Sequence, residues 1–438
     1  MNLKIKPSLD CLEGEITAPG SKSYSHRAFI AASLADGISI IKNPLVSRDV
    51  RFTINILKLL GVKILRRTEN TYIVKRHKAA YKPLKKPFDC GNSGMTIRIF
   101  SALSLIIEGG ISLKGDFLKL QRPILPLLNS LQQLGADFKL SNKKLNIKRS
   151  NEVCNKIKIQ GDISSQFITA LLILCPQLKC KNSNFIEIES TLPLVSKPFI
   201  EITLDVLEQF GINIQANFEI GKFYITNEQT YRSQSYEIPG DFSSAANIIS
   251  AVVLSKKPSS VIINNLTENN KQGDKKIIEI LQKMGGNIKI DNANKQVIIN
   301  GDLEKYPLRG IEIDCTNISD LFPILSVIGA FAEGKTILYN ASNLRLKETD
   351  RISIMARELN KMGVRVIEES DKLTIFHCDM IKGSKINHNN DHRIAMACTI
   401  AALNADSSSY IQNSEIVEDS YPSFFEDLKE LGVNIEVV

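Results

Sequence analysis

The chain has 438 residues, 43% of them hydrophobic, so it is long enough for about two domains with sizeable cores. Its 55 lysines and arginines exceed its 47 aspartates and glutamates, and the net charge of +8 suits anionic ligands. The basic residues rarely form blocks and aromatic residues make up only 6%, which argues against a nucleic-acid-binding surface.

Cysteine use and hydropathy indicate a cytoplasmic protein. The eight cysteines lack C-x-x-C pairs and mostly lie in apolar or strand-like surroundings, so we expect reduced core thiols and no metal site. The N-terminus has no charged-then-apolar leader, and no uncharged apolar run approaches the roughly 18 residues of a membrane span. No membrane partner is therefore expected.

The first predicted helix begins with a cluster of cations and hydroxyls. Lys22, Ser23 and Arg27 follow Gly20 and directly precede an apolar run over residues 28–35. The first turn of a helix offers free backbone N–H groups and the positive end of the helix dipole. Together with the two cations, these groups predict a site for carboxylate or phosphate.

A sixfold repeat runs through the chain. Leu-x-x-(Leu/Phe/Met)-Gly ends an amphipathic pattern six times, at intervals of 69–78 residues, and each glycine is expected to form a left-handed C-cap. These glycines are Gly61, Gly135, Gly211, Gly285, Gly363 and Gly432. Each repeat of about 73 residues therefore combines strands with an amphipathic helix.

A second helix recurs in step with the first and has a polar start followed by about a dozen apolar residues. Its six copies begin near Ser23, Gly94, Ser165, Ser244, Asp320 and His392. Because these helices are apolar on nearly all sides, we expect them to be buried, with ligands or protein groups at their polar ends. The predicted fold class is α/β or α+β.

Two Pro-Gly junctions, Pro19-Gly20 and Pro239-Gly240, bracket three of the six repeats and are candidate hinges. They predict one domain over residues 21–239. The other domain would comprise residues 240–438 completed by residues 1–20.

Polar clusters stand at several helix starts. They are Lys22/Ser23/Arg27, Asn92/Gly94/Arg98, Arg122, Ser164/Ser165/Gln166, Ser196 and the run Lys347-Glu348-Thr349-Asp350-Arg351. Each cluster alone is typical of an ordinary N-cap or a solvated cation. If the repeats are arranged about one cleft, the clusters together predict a polyanion site.

Six motifs, several of them long, occur in order along the whole chain. They are Pro19-Gly20-Ser21-Lys22-Ser23-x-Ser25-x-Arg27-Ala28, Gly91-Asn92-Ser93-Gly94-x-x-x-Arg98, Arg122-Pro123, Ser164-Ser165-Gln166-Phe167, Asn343-x-Arg345-x-Lys347-Glu348-Thr349-Asp350-Arg351 and Asp391-His392-Arg393. Together they resemble the EPSP synthases (3-phosphoshikimate 1-carboxyvinyltransferases), a family of enolpyruvyl transferases. The resemblance implies a monomeric enzyme of the shikimate pathway, with no cofactor, in which two inside-out α/β barrels of three repeats each enclose the active site in the cleft between them.

The implied reaction transfers the enolpyruvyl (carboxyvinyl) group of phosphoenolpyruvate to the 5-hydroxyl of shikimate 3-phosphate. The hydroxyl attacks C2 while C3 takes up a proton, and the tetrahedral adduct then loses phosphate. Such chemistry needs an acid, a base, and cations around two phosphates and two carboxylates.

The resemblance also implies which residues bind shikimate 3-phosphate. Ser23 and Arg27 would hold its carboxylate, and Lys22 would lie beside it. The residues implied for its phosphate are Ser164, Ser165, Ser196 and Lys347, and those for the ring hydroxyls and ligand interface are Gln166, Asn343 and Asp320.

A second set is implied for phosphoenolpyruvate. Arg351 and Arg393 would clamp its carboxylate, because a planar guanidinium suits bidentate pairing. The other implied contacts are Lys22, Asn92, Gly94 and Arg122 around its phosphate, together with Gln166. Asp320, Glu348 and Lys22 are the catalytic candidates, although a carboxylate at a helix start is also an ordinary dipole-stabilising group.

Three positions depart from the family pattern. Glu415 stands where many members carry a lysine, so either the phosphate of phosphoenolpyruvate has one cation fewer or Lys382 or Lys385 substitutes from a neighbouring loop. Met95 and Ile99 replace a frequent threonine and proline beside Gly94 and Arg98. We therefore expect lower sensitivity to glyphosate, which in this family competes for the enolpyruvate site.

Two other functions compete with this interpretation. The sister transferase that acts on a UDP-amino sugar (UDP-N-acetylglucosamine) typically has Lys-Asn after its first glycine motif and a loop cysteine, whereas here Ser23 follows Lys22 and residues 115–122 contain no cysteine. A nucleic-acid binder would need basic clusters interleaved with aromatic residues. The sequence favours small-molecule substrates and no nucleic-acid partner.

Overall fold

The structure is a computed structural model that describes residues 1–7, 11–76, 81–151, 155–180 and 183–438. The strands, in chain order, are β1 (Leu3–Ile5), β2 (Glu13–Thr17), β3 (Gly37–Lys42), β4 (Lys63–Thr68), β5 (Thr71–Arg76), β6 (Phe88–Asp89), β7 (Ile111–Lys114), β8 (Ala136–Leu140), β9 (Leu145–Arg149), β10 (Lys156–Ile159), β11 (Phe185–Ser190), β12 (Ile214–Asn217), β13 (Lys222–Thr226), β14 (Ser235–Glu237), β15 (Ser259–Asn264), β16 (Asn287–Asp291), β17 (Gln296–Gly301), β18 (Glu312–Asp314), β19 (Lys335–Tyr339), β20 (Val366–Glu368), β21 (Leu373–Phe376), β22 (Lys385–Ile386), β23 (Ser409–Ile411) and β24 (Ile435–Val437).

The α-helices are α1 (Lys22–Leu34), α2 (Arg48–Leu59), α3 (Gly94–Leu103), α4 (Asp116–Lys119), α5 (Leu125–Gln133), α6 (Ser165–Leu174), α7 (Lys197–Gln209), α8 (Phe242–Val253), α9 (Lys276–Met284), α10 (Phe322–Phe331), α11 (Arg351–Lys361), α12 (His392–Leu403) and α13 (Phe424–Glu430). Short 3-10 helices span Ser104–Ile106, Cys175–Gln177, Gly273–Lys275, Ser342–Leu346 and Ser414–Asp419.

Six four-stranded sheets share one pairing pattern. In each, an outer strand is parallel to the second strand, which is antiparallel to the third, and the third is antiparallel to the fourth. Their strand orders are β14-β3-β5-β4, β6-β7-β9-β8, β10-β11-β13-β12, β2-β15-β17-β16, β18-β19-β21-β20 and β22-β23-β1-β24. This shared topology confirms the sixfold repeat that the glycine spacing predicts.

The chain divides into two compact units, each with three of these sheets and its own hydrophobic core. We call residues 20–238 the inserted unit and residues 1–19 with 239–438 the split unit. The N-terminal strands β1 and β2 complete two sheets of the split unit. The chain passes between the units at only two places.

Each repeat pairs a buried helix with an amphipathic one. The buried helices are α1, α3, α6, α8, α10 and α12. Every residue of α10 and α12 is buried, which confirms that these apolar runs lie in the cores. The six expected C-cap glycines all have φ between +82° and +109°, as a left-handed C-cap requires.

The two Pro-Gly junctions have the same local structure. A Cβ at Gly20 would collide with the carbonyl oxygen of Asn43, and a Cβ at Gly240 with that of Asn265. Both asparagines have positive φ, and each Nδ2 donates to a backbone carbonyl at the junction. Glycine is needed at both places because the backbones approach so closely.

Seven cysteines lie in the described ranges as free thiols, five of them buried, while Cys154 lies outside those ranges. Among the described helices, none has the length and apolar character needed to cross a membrane.

Candidate active site

Arg27 is a buried cation in the second turn of α1, and its side chain donates hydrogen bonds to residues of the third repeat. Nε donates to Thr203 Oγ1 at 2.8 Å, and Nη2 donates to Thr169 Oγ1 at 3.3 Å and to the Phe199 carbonyl at 2.9 Å. Nη1 donates to the Ser23 carbonyl at 2.8 Å. Burial lowers the pKa of Arg27 to about 9, so it remains protonated at neutral pH. Of its five N–H donors, these bonds with described residues leave one, on Nη1 beside Ser23.

Lys22 opens α1 and lies 3.4 Å from the Asp49 carboxylate in the first turn of α2. Both side chains are mostly buried, at 16% and 17% exposure. Asp49 is a residue that sequence reasoning missed, because an acidic residue in a first helical turn is ordinary. Only the tertiary structure places it against Lys22.

The starts of α3 and α6 are joined by a charged hydrogen bond. Arg98 Nη1 donates to Gln166 Oε1 at 2.5 Å, and Arg98 Nη2 donates to the Pro123 carbonyl at 2.6 Å. A Cβ on Gly94 would lie 2.7 Å from Arg98 Nη1 and 3.1 Å from Gln166 Oε1. Gly94 therefore lies too close to Arg98 and Gln166 to carry a side chain without a shift of this pair. The hydrogen bond at Gln166 Oε1 also fixes the orientation of the N–H₂ group of that carboxamide.

Arg122 is held against Asn92 at the same helix start. Its Nη1 donates to the carbonyl and to the Oδ1 of Asn92, at 2.7 and 2.9 Å. The guanidiniums of Arg122 and Arg98 both lie over the Phe117 ring, 5.0 and 4.8 Å from its centroid. Two cations thus lie beside the N-terminus of α3, an arrangement that favours a phosphate there.

The predicted phosphate-binding serines stand at two further helix starts. Ser164 caps α6, where its Oγ accepts from the Gln166 N–H at 3.3 Å, and Ser165 is the first residue of that helix. Ser196 directly precedes α7 and has left-handed backbone angles (φ 54°, ψ 41°). Ser165 and Ser196 are buried.

A buried relay of side chains connects the second turns of α1 and α2 with the first turn of α3. His26 Nδ1 lies 2.8 Å from Thr53 Oγ1, which lies 2.8 Å from Thr96 Oγ1. Thr96 Oγ1 lies 2.9 Å from the Oγ of Ser93, the N-cap of α3. Burial, with Lys22 and Arg27 nearby, holds the pKa of His26 well below its ordinary value, so the imidazole is neutral.

In the split unit, three carboxylates surround Arg351, which is 1% exposed. Each contact is 2.8 Å long: Nε to Asp391, Nη1 to Asp320, and Nη2 to Glu348. The two carboxylates expected to transfer protons therefore share one buried guanidinium. Because Asp320 and Glu348 occupy Nη1 and Nη2, a substrate carboxylate must displace or join them to reach Arg351.

Asp320 also contacts Arg393, whose Nη2 lies 3.0 Å from its Oδ2. Burial alone would raise the pKa of Asp320, but Arg393, Arg351 and Lys347 outweigh it and hold that pKa well below the usual range. Lys347 Nζ donates to Ser319 Oγ at 3.3 Å. Asp320 is therefore ionised in the structure.

Helix boundaries around this cluster differ slightly from the predicted ones. α10 begins at Phe322, so Asp320 lies in the turn before the buried helix, and Glu348 likewise precedes α11, which begins at Arg351. Asn343 lies in a 3-10 helix and is 4% exposed, and its Nδ2 has no acceptor among the described residues.

The candidate substitutes for the family lysine are exposed. Lys385 opens β22, and Lys382 lies in the preceding loop. Glu415 pairs with the Met1 ammonium at 2.5 Å. Substitution by one of these lysines stays a prediction, as does the alternative that the site has one cation fewer.

The predicted site residues therefore fall into two groups, one in each unit. The inserted unit carries Lys22, Ser23, Arg27, Asn92, Gly94, Arg122, Ser164, Ser165, Gln166 and Ser196, and the split unit carries Asp320, Asn343, Lys347, Glu348, Arg351 and Arg393. Each group combines cations with hydroxyl or amide groups at helix starts. Such groups can bind anions and stabilise charge that develops on a reacting phosphate or carboxylate.

Comparison with known proteins places the chain in a family. The family model described as EPSP synthase (3-phosphoshikimate 1-carboxyvinyltransferase) matches residues 8–428. A 3-phosphoshikimate 1-carboxyvinyltransferase of Methanocaldococcus jannaschii is 44% identical over 446 residues, covering 100% of both chains. One of Methanococcus vannielii is 42% identical over 437 residues, covering 98% of both.

Solved structures agree on the fold. EPSP synthase from Acinetobacter baumannii superposes with a TM-score of 0.81 at 24% identity, covering 100% of this chain and 99% of the other. The enolpyruvyl transferase NikO from Streptomyces tendae superposes with a TM-score of 0.76 at 18% identity, covering 99% and 98%. These likenesses confirm the predicted architecture of two inside-out α/β barrels. With a family model matched along nearly its whole length and relatives more than 40% identical end to end, this chain belongs to the EPSP synthase family.

Proposed function

We infer that the chain catalyses the reaction of its family, transfer of the enolpyruvyl group from phosphoenolpyruvate to the 5-hydroxyl of shikimate 3-phosphate, with release of phosphate. The observation that carries this inference, beside family membership, is the buried Arg351 cluster, where both acid–base candidates lie 2.8 Å from one guanidinium. It is supported further by the cationic helix starts of the inserted unit.

The two groups of residues would act together if they face one cleft. We propose that shikimate 3-phosphate binds mainly to the inserted unit, with its carboxylate at Ser23 and Arg27 and its phosphate at Ser164, Ser165 and Ser196, and that Lys347 reaches it from the split unit. Phosphoenolpyruvate would place its phosphate at Lys22, Asn92, Gly94 and Arg122 and its carboxylate at Arg351 and Arg393. Gln166, Asn343 and Asp320 would lie where the two substrates meet.

The reaction needs a proton at C3 and a base for the 5-hydroxyl. Although burial would raise the pKa of Asp320, Arg393, Arg351 and Lys347 hold it low, so its carboxylate has no proton but is a weak base in the ligand-free enzyme. It would become basic enough to accept the hydroxyl proton once the carboxylate of phosphoenolpyruvate engages Arg351 and Arg393.

Once substrate displaces Glu348 from Arg351, this carboxylate would take up a proton from solvent and deliver it to C3 while the hydroxyl oxygen attacks C2 to form the adduct. In the second step Glu348 would take a proton back from C3 as the bond between C2 and the phosphate oxygen breaks, which restores the double bond and releases phosphate. Lys22 would stabilise charge on the leaving phosphate.

The direct test is phosphate release in the presence of shikimate 3-phosphate and phosphoenolpyruvate, with UDP-N-acetylglucosamine as the alternative acceptor. We expect release only with shikimate 3-phosphate. Release with the sugar nucleotide alone would overturn the assignment.

Proton transfer to carbon can be assigned separately. Glu348→Gln is nearly isosteric but cannot deliver a proton, so we expect it to abolish solvent deuterium incorporation at C3 of phosphoenolpyruvate. Normal exchange in this variant would exclude Glu348 from that step. Glu369→Gln, an exposed surface position, should exchange at the wild-type rate.

We also propose that the enzyme is a cytoplasmic monomer that needs no cofactor. Light scattering on the purified chain tests whether it is a monomer, since a mass of twice 48.8 kDa would show a dimer. Activity that survives exhaustive dialysis against a metal chelator would support the lack of a cofactor requirement.

A further inference from the structure

The start of α8 is the one among the six buried helices to which the family resemblance assigns no ligand. Asp241 caps this helix, with its Oδ1 accepting from the Ser244 N–H at 2.8 Å. Ser243, in the first turn of this helix, makes hydrogen bonds to Asp274 and to Arg393. Ser243 Oγ donates to Asp274 Oδ2 at 2.5 Å, and the Ser243 carbonyl accepts from Arg393 Nη1 at 3.4 Å.

Each of the two side chains bonded to Ser243 also has one buried polar atom without a partner among the described residues. Asp274 Oδ1 and Arg393 Nε are both inaccessible to solvent, and neither has a hydrogen-bond partner among the described residues. Asp274 is 3% exposed and Arg393 is 5% exposed. A buried polar group that is not hydrogen-bonded has lost its hydration without compensation, so such a pair needs an explanation.

Charged groups face Asp274 from several elements. Asp320 precedes α10, Arg393 lies in the first turn of α12, and Asp241 caps α8, while Lys275 follows Asp274 in its own 3-10 helix. Burial raises the pKa of Asp274 to about 7; Asp320 acts in the same direction and Arg393 opposes it. Near neutral pH, both the protonated and the ionised forms are therefore present.

We propose that Asp274 is a positioning residue for Arg393. When Asp274 is neutral, Arg393, which is already bonded to Asp320, can also bind a substrate carboxylate. When Asp274 is ionised, it pairs with Arg393 and competes with the substrate carboxylate. Ser243 holds both side chains and so fixes their relative position. This inference rests on the proposed function for the assignment of a carboxylate of phosphoenolpyruvate to Arg393.

Binding of phosphoenolpyruvate should therefore weaken as Asp274 ionises. We expect the KM for phosphoenolpyruvate to rise about fivefold or more between about pH 6 and pH 8.5, while the KM for shikimate 3-phosphate changes less. Asp274→Asn keeps the shape of the side chain but cannot ionise. The KM of this variant for phosphoenolpyruvate should therefore stay near the low-pH value of the wild type and rise less between about pH 6 and pH 8.5. Ser243→Ala removes a hydrogen bond that stabilises the ionised form, so the midpoint of the rise should move to higher pH.

Asp427→Asn is the matched control. Asp427 is another aspartate of the split unit, and burial raises its pKa as well. Its carboxylate accepts hydrogen bonds from the hydroxyls of Tyr421 and Ser423 and not from Ser243. Its variant should keep the wild-type pH dependence. If the KM of Asp274→Asn for phosphoenolpyruvate rises with pH as in the wild type, the proposal is overturned. If Asp274→Asn does not fold, an unshifted midpoint of this rise in Ser243→Ala overturns it.

A direct titration separates this inference from the proposed function. Carbon NMR of ligand-free protein with labelled aspartate carboxyl groups should show a resonance that titrates near neutral pH. This resonance should be absent in Asp274→Asn. Addition of phosphoenolpyruvate should move the midpoint of its titration to higher pH. Titration of this resonance only in the ordinary aspartate range would overturn the inference even in an active enzyme. An enzyme that releases no phosphate would contradict the proposed function, whereas the NMR titration would still decide the state of Asp274.

Discussion

Lys22 stands at the N-terminus of α1, where a helix dipole and a fixed cation coincide beside Asp49. Its proposed role is to stabilise negative charge on the leaving phosphate, a contribution that a neutral side chain of similar length cannot make. We therefore expect Lys22→Met to fold normally and to lose most activity.

Steady-state rates with both substrates test the Lys22 prediction. Lys283→Met, at an exposed lysine of α9 that pairs with Glu279, is the control and should keep full activity. If Lys22→Met remains within about tenfold of wild type, a barrier change of about 1.4 kcal/mol, Lys22 is not needed for turnover.

Gly94 shows how the structure sharpens a sequence-based expectation. The family resemblance implies that Gly94 lies beside the phosphate of phosphoenolpyruvate, so a methyl group here would approach that ligand. The structure shows that it would first meet Arg98 Nη1 at 2.7 Å and Gln166 Oε1 at 3.1 Å. A methyl group would therefore also disturb the hydrogen bond that orients Gln166.

We expect Gly94→Ala to raise the inhibition constant of glyphosate more than the KM for phosphoenolpyruvate, because the longer inhibitor tolerates less change at this helix start. Paired inhibition curves on wild type and variant measure both constants. Equal increases would show that Gly94 does not discriminate between the two ligands. A wild-type inhibition constant typical of the family would contradict the expectation of lower sensitivity.

At the scale of the helices, the starts of α1, α2 and α3 are held together by the His26–Thr53–Thr96–Ser93 relay. His26 is neutral in the folded chain because burial, followed by Lys22 and Arg27, lowers its pKa well below 6.5. In the unfolded chain the imidazole binds a proton below that pH. The unfolded state then holds more protons, so the free energy of unfolding falls as the pH drops below about 6.5.

Denaturant unfolding across this pH window tests the linkage. We expect His26→Asn, which can still bond to Thr53, to flatten the dependence by up to about 1.4 kcal/mol per pH unit. His377→Asn replaces a more exposed histidine paired with Asp379 and should keep the wild-type slope. An unchanged slope in His26→Asn would show that His26 is protonated in the folded state.

At the scale of the whole molecule, the chain passes between its two units only near residues 19–20 and 238–239. Two such connections suit a hinge, and the proposed substrate contacts come from both units. We expect shikimate 3-phosphate to bring the units together, which small-angle X-ray scattering would detect as a smaller radius of gyration. Inorganic phosphate alone, which cannot contact both groups, should have a smaller effect, and no change at saturating shikimate 3-phosphate would contradict the hinge.

Local sequence determined much of this protein. Glycine spacing identified six repeats because a left-handed C-cap strongly favours glycine at a fixed place after each amphipathic helix. Apolar runs identified the buried helices, since burial on all sides leaves no polar face. The motifs at the helix starts were sufficient to identify the family, because those residues lie close together in the chain.

Only the tertiary structure decided which side chains meet. Arg351 contacts Asp391 and Asp320, which lie 40 and 31 residues away, and Arg27 bonds to Thr203, 176 residues away. The Asp49, His26 and Asp274 contacts gave no recognisable pattern in the sequence, because each joins different helices or loops of the fold. Sequence spacing specifies contacts along a helix or strand, whereas the packing of one repeat against the next determines which buried charges and hydroxyls become partners.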